Sequence, residues 1–272
     1  MRIGLFVPCY IDQFYPDVAV STLELLEAAG AEVDFPAAQT CCGQPMANTG
    51  CSPQAAPMAE RFVEIFSDPS YDYIVCPSGS CTAMVVHHYD EYFPAQQSDQ
   101  RARRERFENV RDKTLELSQF LYRVAKPESF PHAFPHRVGL HNSCHGLREL
   151  RLGSCSERMT RWDDSVCELL SRVPELQWAE LQRSDECCGF GGTFAVAEAD
   201  VSAAMGRSRI ADHADAGAEV MVAGDMSCLM HLQGLIQRDQ RPLHTMHFAQ
   251  VLAGRPIDIN TSSSTTPTQT TR

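Results

Sequence analysis

The sequence predicts an α/β protein. Its expected form is two duplicated, open parallel-sheet domains with helices on both faces and cysteines at the carboxyl ends of the strands. Three observations carry that expectation. Short apolar runs alternate with helix-period stripes, the pattern of a parallel sheet covered by helices. The chain repeats itself: Arg2-Ile3-Gly4-Leu5 followed by Cys9 recurs as Arg137-Val138-Gly139-Leu140 followed by Cys144, at the same spacing. Most of the 12 cysteines fall at matching places in the two copies.

The elements follow in order. Ile3 to Val7 is an apolar run suited to a buried strand. Asp17 to Ala29 reads as a helix with apolar residues at Val18, Leu23, Leu25 and Leu26, and Gly30 stops it. Ala31 to Phe35 alternates as a second strand. Met58, Phe62, Ile65 and Phe66 form a helical stripe, and Tyr71 to Val75 reads as a third strand. The order β-α-β-α-β-α is then repeated from Val138 to Leu140 onward. The first domain is expected over 1–125 and the second over 137–259. The linker at 126–136 carries three prolines that break a helix. A Ser/Thr-rich tail at 260–272 lacks apolar anchors and is expected to be disordered.

Composition narrows the function. The chain has 272 residues, 43% hydrophobic and 21% charged, ordinary values for a globular protein. A net charge of −12 opposes broad binding to nucleic acid or to an anionic membrane surface. The N-terminus lacks the roughly 7–15-residue apolar core of a secretory signal. No run approaches the roughly 18 apolar residues of a membrane span. The expected compartment is the cytoplasm, where disulfides are rare and clustered cysteines bind metal or do redox work.

The repeat sorts the thiols. Cys41-Cys42-Gly43 matches Cys187-Cys188-Gly189, and Ser80-Cys81 matches Ser227-Cys228. One candidate site is therefore Cys9, Cys41, Cys42 and Cys81; the other is Cys144, Cys187, Cys188 and Cys228. Ligand sites in open α/β sheets gather beyond the strand carboxyl ends, so residues distant in sequence can converge there. Zinc prefers a closed tetrahedron, usually built from C-x-x-C pairs, and this chain has none. Two adjacent cysteines sit awkwardly on one ion because the peptide between them is stiff. An iron–sulfur cluster, held by thiolates, is the favoured reading, with zinc as the alternative.

The duplicated C…CCG…C arrangement resembles the cysteine-rich CCG domain. That domain occurs in heterodisulfide reductase, in the glycolate oxidase iron–sulfur subunit and in lactate utilization protein A. Three strings favour the last family: Ser143-Cys144-His145-Gly146-Leu147-Arg148-Glu149-Leu150, Cys187 to Phe194, and Asp225-Met226-Ser227-Cys228-Leu229-Met230-His231. Pro77-Ser78-Gly79-Ser80-Cys81 is similar to the same family's first-half ending. The resemblance implies an iron–sulfur oxidoreductase subunit in the oxidation of L-lactate, a small 2-hydroxy acid, to pyruvate. It implies electron transfer within a multi-subunit complex that includes a ferredoxin-type iron–sulfur protein. The eight cysteines above would bind one or two clusters of the [4Fe-4S] type, with zinc at one site as the alternative. A heterodisulfide-reductase-like thiol/disulfide role is a further alternative. In heterodisulfide reductase the motif ends in C-x-x-C; here Ser78 and Asp225 stand at the extra cysteine positions.

Other residues have plainer readings. Cys167 falls on an apolar helical stripe and reads as a buried thiol, and Cys155 lacks a repeat partner. Cys51 and Cys76 are candidates for places near the first site. His141, His145 and Arg148 flank Cys144, where an imidazole can shuttle a proton and a guanidinium can clamp a carboxylate. His231 and His247 carry the same reading more weakly. Gly189 to Gly192 lacks a nucleotide-loop spacing; its glycines are expected to let backbone N–H groups approach sulfur and to open a helix at Thr193. Arg101 to Arg106 is interleaved with acids and reads as a solvated helix face.

Overall fold

The computed structural model describes residues 1–94, 101–156 and 164–257. The chain folds into two four-stranded parallel sheets with helices packed on them. In the first half β1 (Arg2–Leu5) is followed by α1 (Cys9–Phe14), α2 (Pro16–Ala28) and β2 (Glu32–Asp34). Next come α3 (Gln44–Asn48), α4 (Ser52–Phe66), β3 (Tyr73–Cys76), α5 (Gly79–Ala83), α6 (Arg101–Lys113), β4 (Thr114–Glu116) and α7 (Leu117–Phe120). The second half runs β5 (Arg137–His141), α8 (Ser165–Leu170), β6 (Gln177–Trp178), α9 (Phe194–Ala197), α10 (Ala199–Asp215), β7 (Val220–Ala223), α11 (Met226–Arg238), β8 (His244–His247) and α12 (Phe248–Leu252).

The strand orders are β2-β1-β3-β4 and β6-β5-β7-β8, so the two sheets are topological copies. The apolar runs of β1, β3 and β7 occupy sheet interiors because both of their faces are covered by helices. Proline in the first turn opens α2, and Gly30 at φ 77° lets the chain leave after it. The structure adds a fourth strand to each half. Thr114-Leu115-Glu116 and His244-Thr245-Met246-His247 are short and polar, so hydrophobic pattern does not reveal them; pairing to β3 and β7 makes them strands. Each leads directly into its helix through a capping box, Glu116 with Gln119 and His247 with Gln250.

One apolar core runs through both halves. Ile3, Leu26 and Phe120 belong to the same cluster as Val138, Leu170 and Phe248. Helix α2 lies against α12, and α7 against α8. A second cluster, with Phe6, Phe62, Phe66, Tyr89 and Phe107, belongs to the first half alone. Polar links also cross between the halves: Gly79 N–H donates to Gly224 O at 3.3 Å, and Ser118 and Ser165 hydroxyls meet at 2.8 Å. The shared core holds the two halves so that residues beyond the strand carboxyl ends of both line one cleft. The basic run on α6 is spent on ion pairs with Glu105, Glu60, Asp90 and Glu108, as a solvated face requires. The tail expected at 260–272 lies outside the described residues.

Candidate metal centre

The strand carboxyl ends enclose a cleft of about 400 Å³, and all eight candidate cysteines line it. Cys9 opens α1, Cys41 and Cys42 end the loop after β2, and Cys81 sits in α5. Their counterparts are Cys144 after β5, Cys187 and Cys188 before α9, and Cys228 in α11. Gly43 (φ 83°) and Gly189 (φ 87°) turn the chain straight after each cysteine pair, a conformation that favours glycine.

Within each set the sulfurs form a continuous chain of contacts. Cys9 Sγ lies 3.6 Å from Cys41 Sγ, and Cys42 Sγ lies 3.4 Å from Cys81 Sγ. Contacts of Cys187 with Cys144 and Cys188, and of Cys188 with Cys228, repeat the order. These separations are far beyond the roughly 2.05 Å of a disulfide, and all twelve cysteines are free. Backbone donors converge on the sulfurs: Gly43 N–H on Cys41, Gly189 N–H on Cys187 and Phe190 N–H on Cys188, each at 3.4 Å. The expectation that the glycine loop brings N–H groups to sulfur is met, and α9 begins directly after Thr193, whose side chain makes no capping bond.

Those contacts concentrate negative charge at one position per set. The neighbouring thiols of Cys42 and Cys9 hold Cys41 down to about 3, and those of Cys144 and Cys188 hold Cys187 down to about 2. Donation to Cys41 and burial push Cys9 up, and Cys144 is raised likewise by Cys187. A metal that accepts all four thiolates would replace those shared protons. Eight soft sulfur donors on one cleft suit zinc or an iron–sulfur cluster and not a hard, oxygen-seeking ion.

Ser78 and Asp225, the positions without cysteine, meet across the halves. Asp225 Oδ1 accepts from the hydroxyls of Ser78 (3.2 Å), Ser80 (2.9 Å) and Ser227 (3.2 Å), and Oδ2 accepts from Ser80 N–H at 2.7 Å. Ser78 Oγ also accepts from Cys81 N–H, capping α5. The substituted positions therefore hold the floor of the cleft together.

The remaining candidates scatter. His145 lines the cleft and lies 3.3 Å from Gln44 Nε2. Arg148, Cys51 and Cys76 do not line it. Cys76 ends β3 with its thiol toward Ser78 O, and Cys51 precedes α4. Cys155 is buried; Cys167 on α8, read from the sequence as a buried thiol, is only half-buried against the core. His231 packs its ring near Phe190, and His247 caps α12. The reading of the sequence missed Arg209, wholly buried on α10, whose Nε–H donates to His141 Nδ1 at 3.1 Å. Its one signal was the i,i+3 spacing of Arg209 and Asp212, paired at 2.8 Å. Burial holds His141 down to about 3, so the ring is neutral at ordinary pH.

Comparison with known proteins agrees with this architecture. The family model described as "Cysteine-rich domain" (CCG) matches residues 3–86 and 138–233. "Lactate utilization protein A" of Halalkalibacterium halodurans is 40% identical over 93% of this chain and 96% of its own length. The protein of the same name from Bacillus subtilis is 39% identical over 94% of this chain and 100% of its own. A solved structure of a hypothetical protein from Helicobacter pylori is similar in fold, with a TM-score of 0.59 at 9% identity. That likeness covers 94% of this chain and 49% of the other. The duplicated cysteine-rich halves and the full-length likeness lead to one conclusion: the chain belongs to the lactate utilization protein A family of CCG cysteine-rich domain proteins.

Proposed function

We propose that this chain is an iron–sulfur subunit of a lactate-oxidising system. The observation that supports this most is the convergence of two cysteine tetrads on one cleft. Cys9, Cys41, Cys42 and Cys81 would hold one cluster, and Cys144, Cys187, Cys188 and Cys228 the other. Clusters supply one-electron steps, whereas oxidation of L-lactate to pyruvate releases two electrons and two protons. Two sites in one chain suit that stoichiometry, with a ferredoxin-type partner subunit as the onward acceptor. The protein's own part is to hold the thiolates, to offset their charge through the Gly43, Gly189 and Phe190 N–H groups, and to limit water in the cleft. The setting is the cytoplasm, where thiols stay reduced; no helix of the described residues is long and apolar enough to cross a membrane.

One observation favours zinc as a second reading. Sulfur separations of 3.4–3.6 Å approach the edge, about 3.8 Å, of a tetrahedron with Zn–S near 2.3 Å. Anaerobic reconstitution with iron and sulfide, followed by visible absorption and metal analysis, separates the two. The expected result is a broad cluster absorption, with iron halved by Cys42→Ser or by Cys188→Ser and abolished by both together. One zinc per site and no cluster absorption would sink the iron–sulfur reading. Unimpaired growth of a deletion strain on L-lactate would sink the substrate.

A further inference from the structure

We propose that His141 is a hydrogen-bond donor to sulfur at the second cysteine site, making that site the stronger electron acceptor of the two. The proposal rests on the iron–sulfur reading above and adds a direction of electron flow. His141 ends β5 and is buried. One of its ring nitrogens and the Sγ atoms of Cys188 and Cys228 all lie within 4.8 Å of one another. On spacing alone, these three look like ligands of one metal ion.

The hydrogen bond from Arg209 excludes that role. A guanidinium carries only donors, so the nitrogen that faces it must present a lone pair. Arg209 Nε–H donates to His141 Nδ1 at 3.1 Å. In the neutral ring the proton then resides on Nε2, which has no lone pair to give a metal. Nε2 is buried and meets no acceptor within the protein. A thiolate or sulfide of the second site is the acceptor at hand.

Arg209 is itself a positioning residue. Its Nη1 is held by Asp212 at 2.8 Å and by Arg183 O, and its Nη2 donates to Leu140 O at 3.4 Å. The guanidinium thus cannot turn its acceptor-seeking face elsewhere, and the tautomer of His141 is fixed. Among the described residues the first half has no equivalent. At the position of His141 stands Phe6, packed edge-on against Phe62 at 4.8 Å and Phe66 at 5.8 Å between ring centroids.

The consequence is electrostatic. Each electron added to a cluster makes its sulfurs more negative, so an N–H aimed at sulfur favours the reduced state and raises the potential. An electron leaving the first-site cluster oxidises it by one and reduces the second-site cluster by one, with no proton required. His141 biases that exchange toward the second site.

The test uses the full-length protein reconstituted with iron and sulfide, titrated under EPR. Two midpoint potentials are expected in the unmodified chain. His141→Leu should lower the higher one by about tenfold in the reduction equilibrium, about 59 mV for a one-electron couple, and leave the lower one unchanged. His141→Gln, whose amide both accepts from Arg209 and donates onward, should recover most of the shift. If His141→Leu loses iron, His141→Phe is measured instead, because it copies Phe6 and leaves the Arg209–Asp212 pair in place. Full iron content with unchanged potentials overturns the proposal, as does the strong nitrogen hyperfine coupling of a directly bound imidazole. No cluster absorption in the unmodified chain overturns the iron–sulfur reading itself, and this inference with it.

Discussion

Beneath the cysteines the two halves are built from opposite materials. The first sets the Phe6, Phe62 and Phe66 rings behind its CCG turn; the second sets His141, Arg209 and His213 at the equivalent places. The backbone frame is shared: Gly4 leaves room for the Phe66 ring where Gly139 leaves room for His213. The comparison teaches that duplication fixes where the thiols go, whereas the side chains under them set the electrostatics. An aromatic floor tolerates any pH; a buried imidazole does not.

The largest effect should come from acid, and from the second half. Burial holds His213 and His247, both fully enclosed, down to about 4, below the ordinary value near 6.5. Their unfolded forms bind protons first. The stability they contribute is therefore complete above about 6.5 and is lost as pH falls toward 4. Each is worth on the order of 3 kcal/mol across that window. Denaturation midpoints measured from pH 7.5 to 4.5 should fall steeply, and His213→Phe, which copies Phe66, should flatten part of the slope. An unchanged slope would break the comparison.

The next test is Arg209→Met. It removes one partner of the buried Asp212 carboxylate, which keeps the Gln182 and Arg183 N–H groups and the Arg183 guanidinium at 3.9 Å. The change should cost about 2–3 kcal/mol in urea unfolding. The reciprocal change in the first half, Phe62→Leu, leaves no charge behind and should cost clearly less.

The glycine turns give a smaller contrast. A Cβ on Gly189 would stand 2.5 Å from Ser202 O, whereas one on Gly43 would find its nearest neighbour at 3.4 Å. Both substitutions incur the left-handed backbone cost of roughly 1–2 kcal/mol. Gly189→Ala adds an overpacking cost of about 1–3 kcal/mol. Thermal melts of the two alanine variants should therefore differ by several degrees, and equal melts would show the turns to be equivalent.

The smallest effect has the opposite sign and belongs to the first half. Burial raises Glu116 to about 7, despite hydrogen bonds from Ser118. Its contribution is complete below the ordinary carboxylate value near 4.5 and is lost as pH rises through 7. Glu116→Gln should remove about 2 kcal/mol of stability change between pH 5 and 8. The two halves thus titrate against each other, since Glu116 and His247 occupy equivalent strand ends.

Much of this was legible in the residues. Apolar runs marked β1, β3 and β5, because strands buried on both faces leave few polar positions. The repeated CCG strings marked all eight cleft cysteines, because the same turn had to be built twice. The fourth strands escaped, since three or four mixed residues become a strand only when an adjacent edge supplies hydrogen bonds. Arg209 escaped for a related reason: an arginine on a polar helix reads as exposed until a neighbouring strand buries it. Cys51 and Cys76 shared the chemistry of the site but not its place.

Sequence by itself determined the class of fold, the duplication, the identity of the eight cleft cysteines and their division into two sets of four. Those properties are local, carried by periodicity and by turns that only glycine fits. Tertiary structure decided that both sets share one cleft, because the apolar core common to α2, α7, α8 and α12 holds the two halves together. It also decided which imidazole nitrogen bears a proton. That follows from a guanidinium 68 residues away in sequence and 3.1 Å away in space, a contact no spacing rule contains.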